Sequence, residues 1–202
     1  MPSWLAPAAD RTGRGPHLAS RTVEAIERKA QKMLAKVPPW LWDGETLPVP
    51  VEHVADSGHG LLIRDVTDLS AAPGAPQGHH LSGLLLSDRG EIWVNAAESQ
   101  DWPGRRRFTI GHELGHWCLH RTDGEPLYCR TAVVDPQDAD ERPARPVFEE
   151  EADAFAAALL MPADLMLREY AADRDFFSMC DRFGVSQKAM SRRMHQVIPR
   201  AK

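Results

Sequence analysis

Residues 107–120, RFTIGHELGHWCLH, constrain this chain more than any other stretch. His112 and His116 stand four positions apart. On an α-helix that spacing stacks two side chains on one face, roughly 40° apart at about 100° per residue. Two imidazoles so placed can share one metal ion, and zinc suits them. Glu113, beside the first histidine, is positioned to take a proton from a metal-activated water, so the stretch carries the parts of a metal-assisted hydrolysis. Ile110, Leu114, Trp117 and Cys118 line the other side of the same helix. One face is for packing and one for chemistry.

The H-E-x-x-H pattern of zinc metallopeptidases supplies two ligands and a general base, and a third ligand has to come from elsewhere. The extended metzincin pattern would place a glycine and a third histidine where this chain has Leu119 and Thr122. The usual alternative is a glutamate on a later helix. Residues 148–160, FEEEADAFAAALL, are strongly helical by propensity and stop at Met161-Pro162. On a helical wheel Phe148, Ala152, Phe155 and Leu159 define a core face, Glu150 points away from it, and Glu149 and Glu151 lie at its two edges. Only Glu149 has a carboxylate four positions on, Asp153, able to accept the other ring proton of a ligating histidine. Glu149 is therefore the expected third ligand, with Asp153 supporting the site and Glu151 as the alternative. His120 reads as a supporting or surface residue rather than a ligand.

At 202 residues the chain suits one compact domain with an extension. Residues 1–16, rich in Pro, Ala, Gly and Arg and without periodicity, read as a disordered tail. A metallopeptidase core is expected over 17–170 and a C-terminal helical subdomain over 171–202. Apolar spacing predicts a helix over 17–37, stopped by Pro38-Pro39, and a short one over 51–55. Three β-rich runs follow at 60–66, 81–86 and 91–95, the last two joined by the turn-like Ser87-Asp88-Arg89-Gly90. Residues 121–147 read as a long polar excursion with a short strand at 131–134, of the kind that borders a substrate cleft. Helices over about 163–170, 174–183 and 186–197 close the chain, and Gly184 and Ser186 resemble a C-cap followed by an N-cap, a helix-turn-helix shape. The fold class is thus α+β, with a small, mostly antiparallel sheet, two active-site helices and a helix-turn-helix-like end.

The three cysteines form no C-x-x-C pair, which suits reduced thiols, and Cys118 reads as a small core residue. With neither a signal-like segment nor an apolar run of membrane-spanning length, the expected setting is cytoplasmic. Residues 1–38 carry seven Lys and Arg against three Asp and Glu, and 174–202 carry seven against two, although the whole chain has a net charge of −5. Basic ends on an acidic middle permit contact with an acidic partner or nucleic acid, but solvated charged faces are the commoner explanation.

Taken together, RFTIGHELGHWCLH, then EEEADAFAAALLMP about thirty residues later, then FGVSQKAMSRRM, resemble the ImmA/IrrE family of zinc metallopeptidases over residues 17–197. Gly111 stands where members often carry Ala. The resemblance implies a zincin-like core of the gluzincin kind, a bacterial or phage cytoplasm, and cleavage of a helix-turn-helix transcriptional repressor that frees its target genes. It also implies that Asn95, in EIWVNAA, lies on an edge strand where its amide fixes the substrate backbone; an asparagine making a turn at a strand end is the competing reading. Tyr128, His79, His80 and His120 are candidates for steadying the oxyanion. A rival reading of the whole chain is a non-catalytic zinc-containing regulator that binds protein or DNA through its basic C-terminal helices.

Overall fold

The computed structural model describes residues 21–69, 81–101, 103–121 and 146–198. The expected tail, the strand at 131–134, most of the 121–147 excursion, and His79, His80 and Tyr128 lie outside them. Eight helices and three strands form a mixed α+β fold among these residues.

The first helix, α1 (Val23–Leu34), begins where Thr22 accepts a hydrogen bond from the Ala25 backbone N–H, a side-chain cap. It turns Ile26, Ala30, Met33 and Leu34 into the core. Helix α2 (Val51–His59) outlasts its expected end by running through Gly58; Gly60, at φ +64°, terminates it in the left-handed region that glycine tolerates. The strands are β1 (Leu62–Val66), β2 (Gly83–Leu86) and β3 (Glu91–Asn95), all where β-rich runs predict them.

Their arrangement corrects the expected mostly antiparallel sheet. The order is β1-β3-β2; β2 and β3 form the antiparallel hairpin, but β1 pairs parallel with β3, Leu62 opposite Glu91 and Val66 opposite Asn95. The connection after β1 is long enough to carry the chain past the middle position, which β3 then fills. β3 is therefore not an edge strand. The β2–β3 hairpin buries both faces: Leu85, Ile92 and Val94 join the main core beneath the helices, while Leu84, Leu86 and Trp93 pack with Leu69 and Leu81 on the other side.

A short helix that the sequence does not signal, α3 (Ala96–Asp101), leads towards α4 (Pro103–Leu119), which lies across the sheet. Helix α5 (Val147–Leu160) packs against both α4 and α1. Then come α6 (Ala163–Ala172), α7 (Phe176–Phe183) and α8 (Gln187–Val197). Gly184 caps α7 at φ +60° and the Ser186 hydroxyl caps α8, so the punctuation legible at that turn is the punctuation found. Arg193, on α8, is 1% exposed; it donates to the Met161 carbonyl at 2.9 Å and pairs with Glu27 of α1. One buried guanidinium thus fastens the last helix to the first.

Candidate metal centre

Residues 109–116 of α4 are all buried, because the helix is sandwiched between the sheet and α5. Close approach to α5 depends on two glycines. A Cβ at Gly115 would lie 2.9 Å from Ala152 Cα and 3.0 Å from its carbonyl oxygen, and one at Gly111 would lie 3.3 Å from Ala156 Cβ. Small residues on both helices let the backbones come near, and the first turn of α5 then delivers a carboxylate to the histidines of α4.

Among the described residues, the imidazoles of His112 and His116 and the carboxylate of Glu149 converge, each nine-tenths or more buried. The two Nε2 atoms are 2.9 Å apart, and the Glu149 carboxylate faces both, Oε2 at 3.3 Å from His112 Nε2 and Oε1 at 3.6 Å from His116 Nε2. A tetrahedral zinc with ligand bonds of about 2.0–2.1 Å puts its donors roughly 3.3 Å apart. The observed separations bracket that figure, and two nitrogens with one oxygen is a donor set zinc accepts. These residues fit a metal site.

Each histidine is also held from behind. Asp153 Oδ1 lies 2.8 Å from His112 Nδ1, so one turn of α5 addresses both nitrogens of a single ring, Glu149 at one and Asp153 at the other. His116 Nδ1 is 3.1 Å from Nδ1 of His120, whose Nε2 is 2.8 Å from Glu151. Burial lowers the His120 pKa, outweighing the opposing hydrogen bond to Glu151. Burial alone would raise the Glu151 carboxyl, but hydrogen bonds from the Arg21 backbone and from His120, with the Arg21 guanidinium, hold it below its ordinary value. His120 has both ring nitrogens engaged, Nδ1 with His116 and Nε2 with Glu151. Glu151, the alternative ligand, is spent on Arg21 and His120.

Glu113 is fully buried on the sheet side of α4, against Gly83 of β2: a Cβ on that glycine would come within 2.9 Å of Glu113 Oε1. Glu150 is exposed, as the wheel predicts. Phe148 departs from it. Rather than joining the core, the residue is 41% exposed, and its ring stands 5.9 Å from the His116 ring and 6.1 Å from that of His120, at the rim of the site. Asn95 sits at the end of the central strand, where its side-chain oxygen accepts from the backbone N–H groups of Ala97 and Glu98 and so begins α3. That is the strand-end turn, without the edge strand. Cys118 is only partly buried, and burial pushes its thiol pKa up.

Sequence reasoning missed the contact of Gly83 with Glu113 and the run from His120 through Glu151 to Arg21. A glycine inside a strand pattern is a signal of close approach, though it does not say what approaches. Residues 65–195, well over half of the chain, match a peptidase family model described as the IrrE N-terminal-like domain. No curated protein matches the chain.

Proposed function

We propose, because the chain belongs to the peptidase family of IrrE N-terminal-like domains, that it is a zinc-dependent endopeptidase cutting one specific protein, a helix-turn-helix transcriptional repressor. What carries this reading is the juxtaposition of three converging buried donors with a further buried carboxylate, Glu113, on the helix that carries the two histidines. A structural zinc site is normally closed by four protein ligands and has no use for a neighbouring base. We read α4, α5 and the sheet as a zincin-like core, and α7 with α8 as a helix-turn-helix-like unit.

Zinc held by His112, His116 and Glu149 would polarise the scissile carbonyl and make water a nucleophile near neutral pH. Glu113 takes the proton of the attacking water and returns it to the leaving amine. Asp153 fixes the His112 ring by accepting a hydrogen bond from its Nδ1–H. Burial between helix and sheet keeps the Glu113 carboxylate aimed by packing rather than by solvent. Narrow specificity follows from the setting: an unrestricted metallopeptidase inside a cell would damage it, so a docked partner has to present the segment to be cut.

The test combines metal content with cleavage. Glu113→Gln is expected to keep zinc and lose turnover by several orders of magnitude, whereas His112→Ala and His116→Ala lose the metal. Zinc-loaded protein is incubated with denatured casein and with candidate repressors, beginning with one encoded beside it, and fragments are mapped by mass spectrometry. One or two cuts in a repressor with casein nearly intact is the expected result. Broad digestion of casein beside an untouched repressor overturns the substrate assignment, and a Glu113→Gln protein that still cuts overturns the mechanism.

A further inference from the structure

The His116 ring has two nitrogens, and only one faces the donor cluster. Nε2 lies 2.9 Å from His112 Nε2, while Nδ1 is 3.1 Å from Nδ1 of His120. His120 stands one turn further along α4, with its side chain 5% exposed, and its own Nε2 is 2.8 Å from Glu151 Oε2. Glu151 is held in turn by Arg21: the backbone N–H donates to Oε1 at 2.5 Å and the guanidinium to Oε2 at 2.7 Å. A second guanidinium nitrogen donates to the Leu119 carbonyl at 2.6 Å, tying Arg21 to the end of α4 as well.

Proton positions along this run are not independent, because a neutral imidazole has one donor and one acceptor. For His116 Nε2 to offer its lone pair to a cation, the ring proton has to sit on Nδ1, and His120 Nδ1 then has to accept it. His120 is left with its proton on Nε2, which it donates to the Glu151 carboxylate. Moving the His120 proton to Nδ1 would set two N–H groups head to head. Relief would come from shifting the His116 proton to Nε2, which removes that lone pair from the cluster. The ring-long spacer has a geometric reason: Glu151 is two residues from Glu149, roughly 200° around α5, so it cannot buttress a histidine directly as Asp153 does.

We propose that His120 and Glu151, anchored by Arg21, form a positioning relay that holds His116 in the tautomer and orientation of a metal ligand. This rests on the reading of His112, His116 and Glu149 as ligands. It makes the entry to α1 a working part of the metal centre, although the family match begins only at residue 65.

The full chain is tested by competing for zinc with a chromogenic chelator and by recording the visible spectrum after loading with cobalt(II). His120→Leu removes the acceptor; His120→Asn restores one near the place of Nδ1; Glu151→Gln changes charge but hardly volume. His120→Leu is expected to weaken zinc binding roughly 10–100-fold and to shift the cobalt bands. Glu151→Gln should do so by a smaller factor, and His120→Asn should recover much of the loss. Folding of each variant without metal is followed by its melting curve, and the nearly isosteric Glu151→Gln serves if His120→Leu does not fold. Wild-type affinity and an unchanged cobalt spectrum in folded His120→Leu or Glu151→Gln would overturn the relay. So would a folded His120→Asn no better than His120→Leu, since that leaves packing alone. A wild-type protein that takes up neither metal, or a His116→Ala variant that binds as well as wild type, overturns the underlying ligand assignment instead.

Discussion

Gly83 shows how little space Glu113 has. A methyl group there would press on Thr109 Cγ2 and sit 2.9 Å from Glu113 Oε1. Thr109 Cγ2 would be closer still, on a short β-branched side chain of α4, so strand and helix must give as well as the carboxylate. Gly83→Ala is accordingly expected to cost about 1–3 kcal/mol of stability and, in the folded protein, to lower kcat by roughly 100-fold, the scale on which a displacement near 1 Å acts. Steady-state kinetics beside a chelator titration check it, and an unchanged kcat would show that Glu113 is not confined as described. The residues legible in the sequence were those whose partners are set by helical spacing. His112 and His116 do lie on one face of α4, and Glu149 and Asp153 do address one ring. Phe148 departs from the wheel because a wheel gives the direction of a side chain and not what waits there. At the first turn of α5 the facing surface is two histidine rings and not aliphatic core.

At the scale of elements, the crossing of α4 and α5 sets the geometry of the site, and its two glycines differ in kind. At Gly115 a Cβ would meet backbone, Ala152 Cα at 2.9 Å and its carbonyl oxygen at 3.0 Å, so the helices must part. Gly115→Ala is expected to cost about 1–3 kcal/mol and to draw Glu149 away from the histidines, weakening metal binding together with stability. At Gly111 the nearest atom is the Ala156 methyl carbon at 3.3 Å. A shift of a few tenths of an ångström suffices, and alanine gains about 1 kcal/mol of helix propensity over glycine. Gly111→Ala should be neutral within roughly that amount. Denaturant unfolding and zinc affinity of the two variants decide the matter, and equal effects would contradict the crossing described. The strands and most helices were legible because apolar period and caps fix them locally. The parallel pairing of β1 was not, since nothing in a run of β-rich residues says which neighbour it will meet. The six-residue α3 buries no residue and so leaves no periodic trace.

Taken whole, the molecule is gathered around α5, which touches α1, α4 and α8. Helix α1 lies outside the span matched by the family model, yet it packs on α5, sends Glu27 to Arg193 and follows directly on Arg21. Such long-range fastening has no local signature; Arg193 reads in the sequence as one more basic residue of a charged helix. Among the described residues no helix is long and apolar enough to cross a membrane. The donors are divided between two elements, His112 and His116 on α4 and Glu149 on α5, so the full set exists only while those helices are packed. Zinc at a hundred times its dissociation constant should then add about 2.7 kcal/mol, worth roughly 2–4 °C of melting temperature per kcal/mol in a chain of this size. Melting curves with zinc and with chelator test this, and coincident curves for wild type would contradict a shared site. On the zinc-binding reading proposed above, such a divided set would make metal supply a determinant of how long each molecule survives. When zinc is scarce, a larger fraction of chains is open at any moment, and proteolysis draws on that fraction. Under zinc starvation the cell is then expected to lose the protein itself, through shortened lifetime, in addition to its activity.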